Sequence, residues 1–200
     1  MSLNLPFKRL TLPLVAVAFL SSCTSLQDDR VSVDYYNISG DTTAALDQDI
    51  RRKGPRLNGG RHAVAVARIK MVPNITFTPA GTDRCTITAA KVAVDARVTL
   101  PRWVGRAKAN KKLGRAWDSI DRYTRAHEAV HVDIAFSFAR RIERELLLMP
   151  NLGTCEALKL RSRVVIDKLL REHNAAQIAF DEREQRRFRN FAKRQKSNKS

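Results

Sequence analysis

Residues 91–100 alternate. Val92, Val94, Ala96 and Val98 fall on one side, and Lys91, Asp95 and Arg97 on the other. That period of two predicts a half-buried antiparallel strand, which Pro101 is expected to end. Residues 62–71 ("HAVAVARIKM") alternate more loosely. Val64 and Val66 share one face; Ala63, Ala65, Ala67 and Ile69 share the other. Upstream, "VSVDYYNISGDT" (31–42) collects β-branched and aromatic residues ahead of a Ser-Gly-Asp turn, so a further strand is predicted there. The next segment, "AALDQDIRRKGP", puts Leu46 and Ile50 on one side of a short helix that Gly54-Pro55 stops.

After Trp103 the period lengthens. Leu113, Trp117, Ile120 and Tyr123 step by three or four, and Val130, Ile134, Phe138, Ile142 and Leu146 by four, until Pro150 and Gly153 break the pattern. A second long helix begins near Thr154, with Val165, Leu169, Ala176 and Phe180 at helical spacing. The predicted architecture is α+β: a small antiparallel sheet in the N-terminal half packed on two long helices in the C-terminal half, as one domain over residues 31–181. Residues 182–200 hold eight Lys/Arg against two Glu and read as a solvated, fraying basic tail.

Charge and the N-terminus change this picture. The chain of 200 residues carries a formal net charge of +17. Lys8 and Arg9 precede an apolar run over residues 10–20, too short for a stable span of about 20 residues. "LSSC" follows, ending at Cys23, and resembles the lipobox of bacterial lipoproteins. The resemblance implies that residues 1–22 are a signal peptide, that Cys23 is lipidated, and that residues 23–30 are a tether; an ordinary signal peptide with a stray cysteine is the plainer reading. Thr24, rather than Asp, after the cysteine points to an outer-membrane anchor facing the periplasm. Removing residues 1–22 takes two cations and no acids, leaving 17 − 2 = +15. Such a chain is attracted to anionic head groups, through the basic tail above all. Nucleic acid attracts the same charge but is not the expected partner of an exported protein. Cys85 and Cys155 then remain in an oxidising compartment, either as a disulfide or as two buried thiols.

The candidate chemistry lies in "RAHEAVHV", residues 125–132. His127 and His131, four apart on a helix, place two imidazoles one above the other, with Cβ atoms about 5–6 Å apart. Two such rings can converge on one Zn²⁺. Glu128 is about 100° around the helix, beside the water such an ion holds, where a carboxylate can act as general base. His-Glu-x-x-His therefore matches a metallopeptidase mechanism; the bland alternative is an amphipathic helix with two coincidental histidines. Residues 132–141 ("VDIAFSFARR") supply no third histidine. His173, on the inward stripe of the second helix, is the first candidate for the third ligand, and Asp181 the alternative. Glu143 is excluded, because twelve residues of helix separate it from His131 by about 18 Å.

Together with this motif, "YYNISGDT", "GPRLNGGR", "LPRW" (100–103), Trp117, Cys85 and Cys155 resemble a bacterial family of unknown function described as predicted secreted zinc-dependent proteases. The resemblance covers residues 31–181. It implies metal binding at His127 and His131, catalysis by Glu128 and a Cys85–Cys155 disulfide. Many members close the second helix with Tyr-Asp and then Thr-x-His-Gly. Here, in "FDEREQRR" (180–187), Phe180-Asp181 fits the first part, and Arg186 and Arg187 replace the histidine and glycine. Two functions follow: a lipid-anchored periplasmic zinc metallopeptidase acting on peptides or proteins of the envelope, or a non-catalytic envelope lipoprotein with a degenerate metal site that binds envelope polymers or a protein partner.

Overall fold

The computed structural model describes residues 29–57, 59–151 and 153–197. The signal peptide, Cys23 and residues 24–28 of the tether lie outside them. The elements are β1 (Arg30–Ile38), α1 (Thr43–Lys53), β2 (Val66–Pro79), β3 (Cys85–Trp103), a 3₁₀ turn at Arg106–Lys108, α2 (Lys111–Leu147) and α3 (Cys155–Ser197). Sheet in the first half and helices in the second make an α+β fold, as expected.

The sheet has the order β1-β3-β2 and is mixed rather than antiparallel throughout. β2 and β3 form a long antiparallel hairpin with an irregularity between Thr76 and Phe77. β1 runs parallel to β3, with Val33 opposite Val98 and Tyr35 opposite Leu100. Alternation predicts which face a residue takes, not the direction of its neighbour. That direction is set by α1, which carries the chain away from β1 before β2 begins.

Pro101 does not end β3, contrary to expectation. Pairing with β2 stops at Thr99, while pairing with β1 continues to Trp103. Pro101 thus sits where the strand has a single neighbour, and a missing N–H is tolerated there. Val92, Val94, Ala96, Val98 and Leu100 are all buried, and Lys91, Asp95 and Arg97 are not.

The helix facing them is α2, 37 residues long. It starts at Asn110, whose Oδ1 accepts from the Leu113 N–H at 2.9 Å, satisfying one free donor of the first turn. Its buried stripe runs through Val132, Ala135, Ala139, Ile142 and Leu146. The expected stripe through Val130, Ile134 and Phe138 is out of phase. Val130 is 36% exposed, and Phe138 packs instead on His173 of α3. The alanines explain the rotation: Ala135 and Ala139, fully or almost fully buried, let the backbone of α2 approach the sheet where larger side chains would hold it off. Leu158 and Leu169 of α3 complete this core. A second cluster joins Ile38, Leu46, Trp103, Leu113 and Trp117, with the two indoles edge to face at 5.9 Å.

Two further differences concern the C-terminal half. Residues 182–197 are not a frayed tail but continue α3, and Tyr123 of α2 donates to Glu184 at 3.1 Å. Where the resembling family carries Thr-x-His-Gly, this chain has Glu184-Gln185-Arg186-Arg187. All four are good helix formers, and a glycine there would cost about 1 kcal/mol. Cys85 and Cys155 form a disulfide across 70 residues. No helix among the described residues is long and apolar enough to cross a membrane.

Candidate functional site

α2 supplies His127, Glu128 and His131 from adjacent turns, and α3 crosses them with Gln177, Phe180 and Asp181. The Nε2 atoms of His127 and His131 are 3.3 Å apart. Asp181 Oδ1 lies 3.2 Å from the first and 3.0 Å from the second. Three potential ligand atoms thus form a nearly equilateral triangle. Zinc–ligand bonds of about 2.0–2.1 Å in a tetrahedron require ligand atoms about 3.3 Å apart, so these three atoms fit one face of such a shell. Among the described residues, this is the one group of three His, Cys, Asp or Glu residues placed to hold a metal ion.

The hydrogen bonds fix the state of His131. Gln177 Nε2 donates to the His131 carbonyl oxygen at 3.0 Å, which settles the orientation of the amide. Gln177 Oε1 must then accept, and it lies 2.5 Å from His131 Nδ1. His131 therefore donates from Nδ1, and its Nε2 faces the triangle. A histidine ligand is usually oriented by such a bond to its other nitrogen.

His173 stands outside this group of three, and the same amide reaches it. Gln177 Nε2 also donates to His173 Nε2 at 2.8 Å, so the lone pair expected to bind metal is engaged. His173, Gln177 and Asp181 are four apart on one row of α3, and the row reaches the triangle at Asp181. His173 is buried and supports Gln177 from behind. Glu143, excluded at the outset, accepts from the Val92 N–H at 2.7 Å at the edge of the core.

His127 is held differently. Phe180 packs against both imidazoles, at 4.8 Å from His127 and 5.0 Å from His131, and Tyr123 stands 6.0 Å from His127 on the other side. Among the described residues, no polar group reaches His127 Nδ1, a buried atom without a hydrogen-bond partner. Burial, reinforced by His131, pushes the His127 imidazole below its ordinary range, against the opposing pull of Asp181. Both effects favour a neutral ring, the form that binds metal.

Glu128 is 5% exposed and turns toward β2 rather than into the triangle. Burial pushes its carboxyl up; His131 and the Ala67 backbone N–H, which it accepts, pull it back. Two cavities meet at His127 and Glu128. One of about 830 Å³ is lined by apolar side chains, among them Val64, Ile120 and Phe188. The other, of about 510 Å³, has mixed walls, with Val66, Ala67 and Ile69 as well as Asn174, Gln177 and Gln185.

A family model described as "Bacterial protein of unknown function (DUF922)" matches residues 33–188. The chain belongs to this family. The DUF922 match spans both helices of the site and extends past residue 181, where sequence reading placed the domain's end. Its description leaves the function open. No curated protein and no solved structure matches the chain. Within this DUF922 chain, Arg186, where a histidine was expected from resemblance, pairs with Glu182 at 3.5 Å on the exposed side of α3. It lies five residues beyond Asp181 on an unbroken helix, and therefore off the row that meets the triangle. Ligand chemistry does not single out Gln177 in the sequence, because an amide binds zinc poorly; its spacing between His173 and Asp181 is the one signal of its place.

Proposed function

We propose that the protein is a zinc metallopeptidase of the cell envelope, anchored by a lipid on Cys23. The observation that carries this reading is the triangle of His127, His131 and Asp181 with the Glu128 carboxylate beside it and outside it. A bound Zn²⁺ would supply Lewis acidity and bring the pKa of its water to about 7. Glu128 takes a proton from the attacking water as the oxygen bonds to the substrate carbonyl carbon. It then returns the proton to the nitrogen as the C–N bond breaks. Gln177 keeps the His131 lone pair directed at the ion, and the Phe180 ring limits access of bulk water to both imidazoles. The non-catalytic alternative drew its support from Arg186. That support weakens once Asp181 can close the ligand set without residue 186.

The test is zinc content together with proteolysis of an unfolded protein. Purified mature protein is expected to hold stoichiometric zinc, to cut the substrate, to stop on chelation and to recover on zinc addition. Protein that stays zinc-free in a metal-replete preparation would overturn the reading. Zinc without turnover would make it a binding protein.

The ligand assignment has its own check. Gln177→Ala removes an orienting bond and is expected to weaken zinc binding about 10–100-fold. Asp181→Ala removes a ligand and should cost more, and His173→Ala least of the three. A competition titration with a chromophoric chelator gives the order, and a larger loss at His173 than at Asp181 would return the third position to His173.

A further inference from the structure

The hydrolytic step leaves the apolar cavity unexplained. Its walls come from three parts of the chain. Val64 lies just before β2, Ile120 and Tyr123 on α2, and Phe188 on α3. These side chains are open to solvent: Val64 is 39%, Ile120 48% and Phe188 69% exposed. Trp117 and Leu113, about one and two turns before Ile120 on α2, are buried. The same apolar stripe therefore leaves the core and continues into an open groove. Folding alone does not reward that pattern, and contiguous exposed apolar surface of this kind marks binding sites.

We infer that this groove receives a bulky apolar side chain, of the Leu or Phe kind, on one flank of the scissile bond of an extended polypeptide. The inference rests on the hydrolase reading and names its substrate class: unfolded or flexible protein segments with large apolar residues. Two observations favour a peptide. The groove touches His127 and Glu128 directly, so its occupant is next to the reacting carbonyl. Ala65 lines both cavities, so a chain passing Glu128 meets apolar walls on one side and, on the other, walls that mix Val66 and Ile69 with Asn174 and Gln185. Mixed walls suit a peptide, whose side-chain character changes from one residue to the next, better than an acyl chain, which is apolar throughout.

The experiment maps cut sites in reduced, alkylated serum albumin by mass spectrometry. It also compares kcat/KM for two quenched peptides that differ by Leu or Ala at the preferred position. Wild type is expected to cut beside Leu, Phe or Met. Ile120→Trp, at a half-exposed position, fills the groove and should lower the Leu/Ala ratio of kcat/KM about 10–100-fold at unchanged zinc content. Phe188→Ala opens the opposite wall and should lower the ratio less. Cuts without apolar preference, or a ratio indifferent to Ile120→Trp, would overturn the pocket assignment and leave the hydrolase standing. Zinc-loaded wild type that cuts nothing would remove the hydrolase, and the substrate assignment with it.

Discussion

Glu128→Gln is expected to keep its zinc and lose hydrolysis by about 10²–10⁴-fold, the usual contribution of a positioned general base. Zinc should stay because Glu128 lies outside the group of three ligand residues. The fold should stay because glutamine has nearly the same volume in a site that is 5% exposed. Its amide oxygen can still accept from the Ala67 N–H that the carboxylate now accepts from. What the amide cannot do is take a proton from water. Measuring kcat/KM and zinc content on the same preparation separates the base from the ligands. A variant that retained wild-type turnover would assign proton transfer to another group. A variant that lost zinc along with activity would place Glu128 among the ligands and break the distinction on which the mechanism depends.

How far the sequence could be read depends on what each feature requires. The strand over residues 91–100 and both long helices were legible because burial imposes a period, and period survives without coordinates. His127 and His131 were legible for the same reason: four residues on a helix bring two side chains together whatever surrounds them. The third residue of the group is not legible in this way, because it depends on how one helix crosses another. His173 and Asp181 stand on one row of α3, and spacing alone ranks the histidine first. Only the crossing shows that Gln177 occupies the His173 lone pair and that the carboxylate reaches the triangle. The rotation of α2 has a similar origin. Large apolar residues draw attention to Val130, Ile134 and Phe138, but close approach to the sheet is made by Ala135 and Ala139. The end of β3 was misplaced because a proline reads as a stop; its tolerance at 101 depends on where a different strand ceases to pair. The composition of the basic end shows that residues 182–190 are solvated but not that they are helical; Glu184 meets Tyr123 only because α3 continues through them.

Replacing Cys85 and Cys155 by serine is expected to cost about 4 kcal/mol of stability, from the entropy of freeing a 70-residue loop in the unfolded chain. Against the total of about 5–15 kcal/mol usual for a domain, that is a quarter or more of the whole. It corresponds to about a thousandfold in the folded-to-unfolded ratio and, for a chain of this size, to a fall in Tm of about 8–16 °C. The position of the bridge gives the loss a direction. It joins the first residue of β3 to the first residue of α3, so the closed loop contains β3 and α2, the strand and helix that build the core. The site lies elsewhere along α3. Gln177 and Asp181 are more than twenty residues from Cys155, and Leu158 and Leu169 pack α3 onto the core between them. Zinc affinity of the folded protein should therefore change much less than stability. Urea unfolding of the double serine variant and of reduced wild type should agree, with a larger m-value than the oxidised protein because the freed chain exposes more surface. A loss below about 1 kcal/mol would mean that the unfolded chain already keeps β3 and α3 close. A matching collapse of zinc affinity would mean that the bridge, and not the packing of α3 on α2, holds Asp181 against the two histidines.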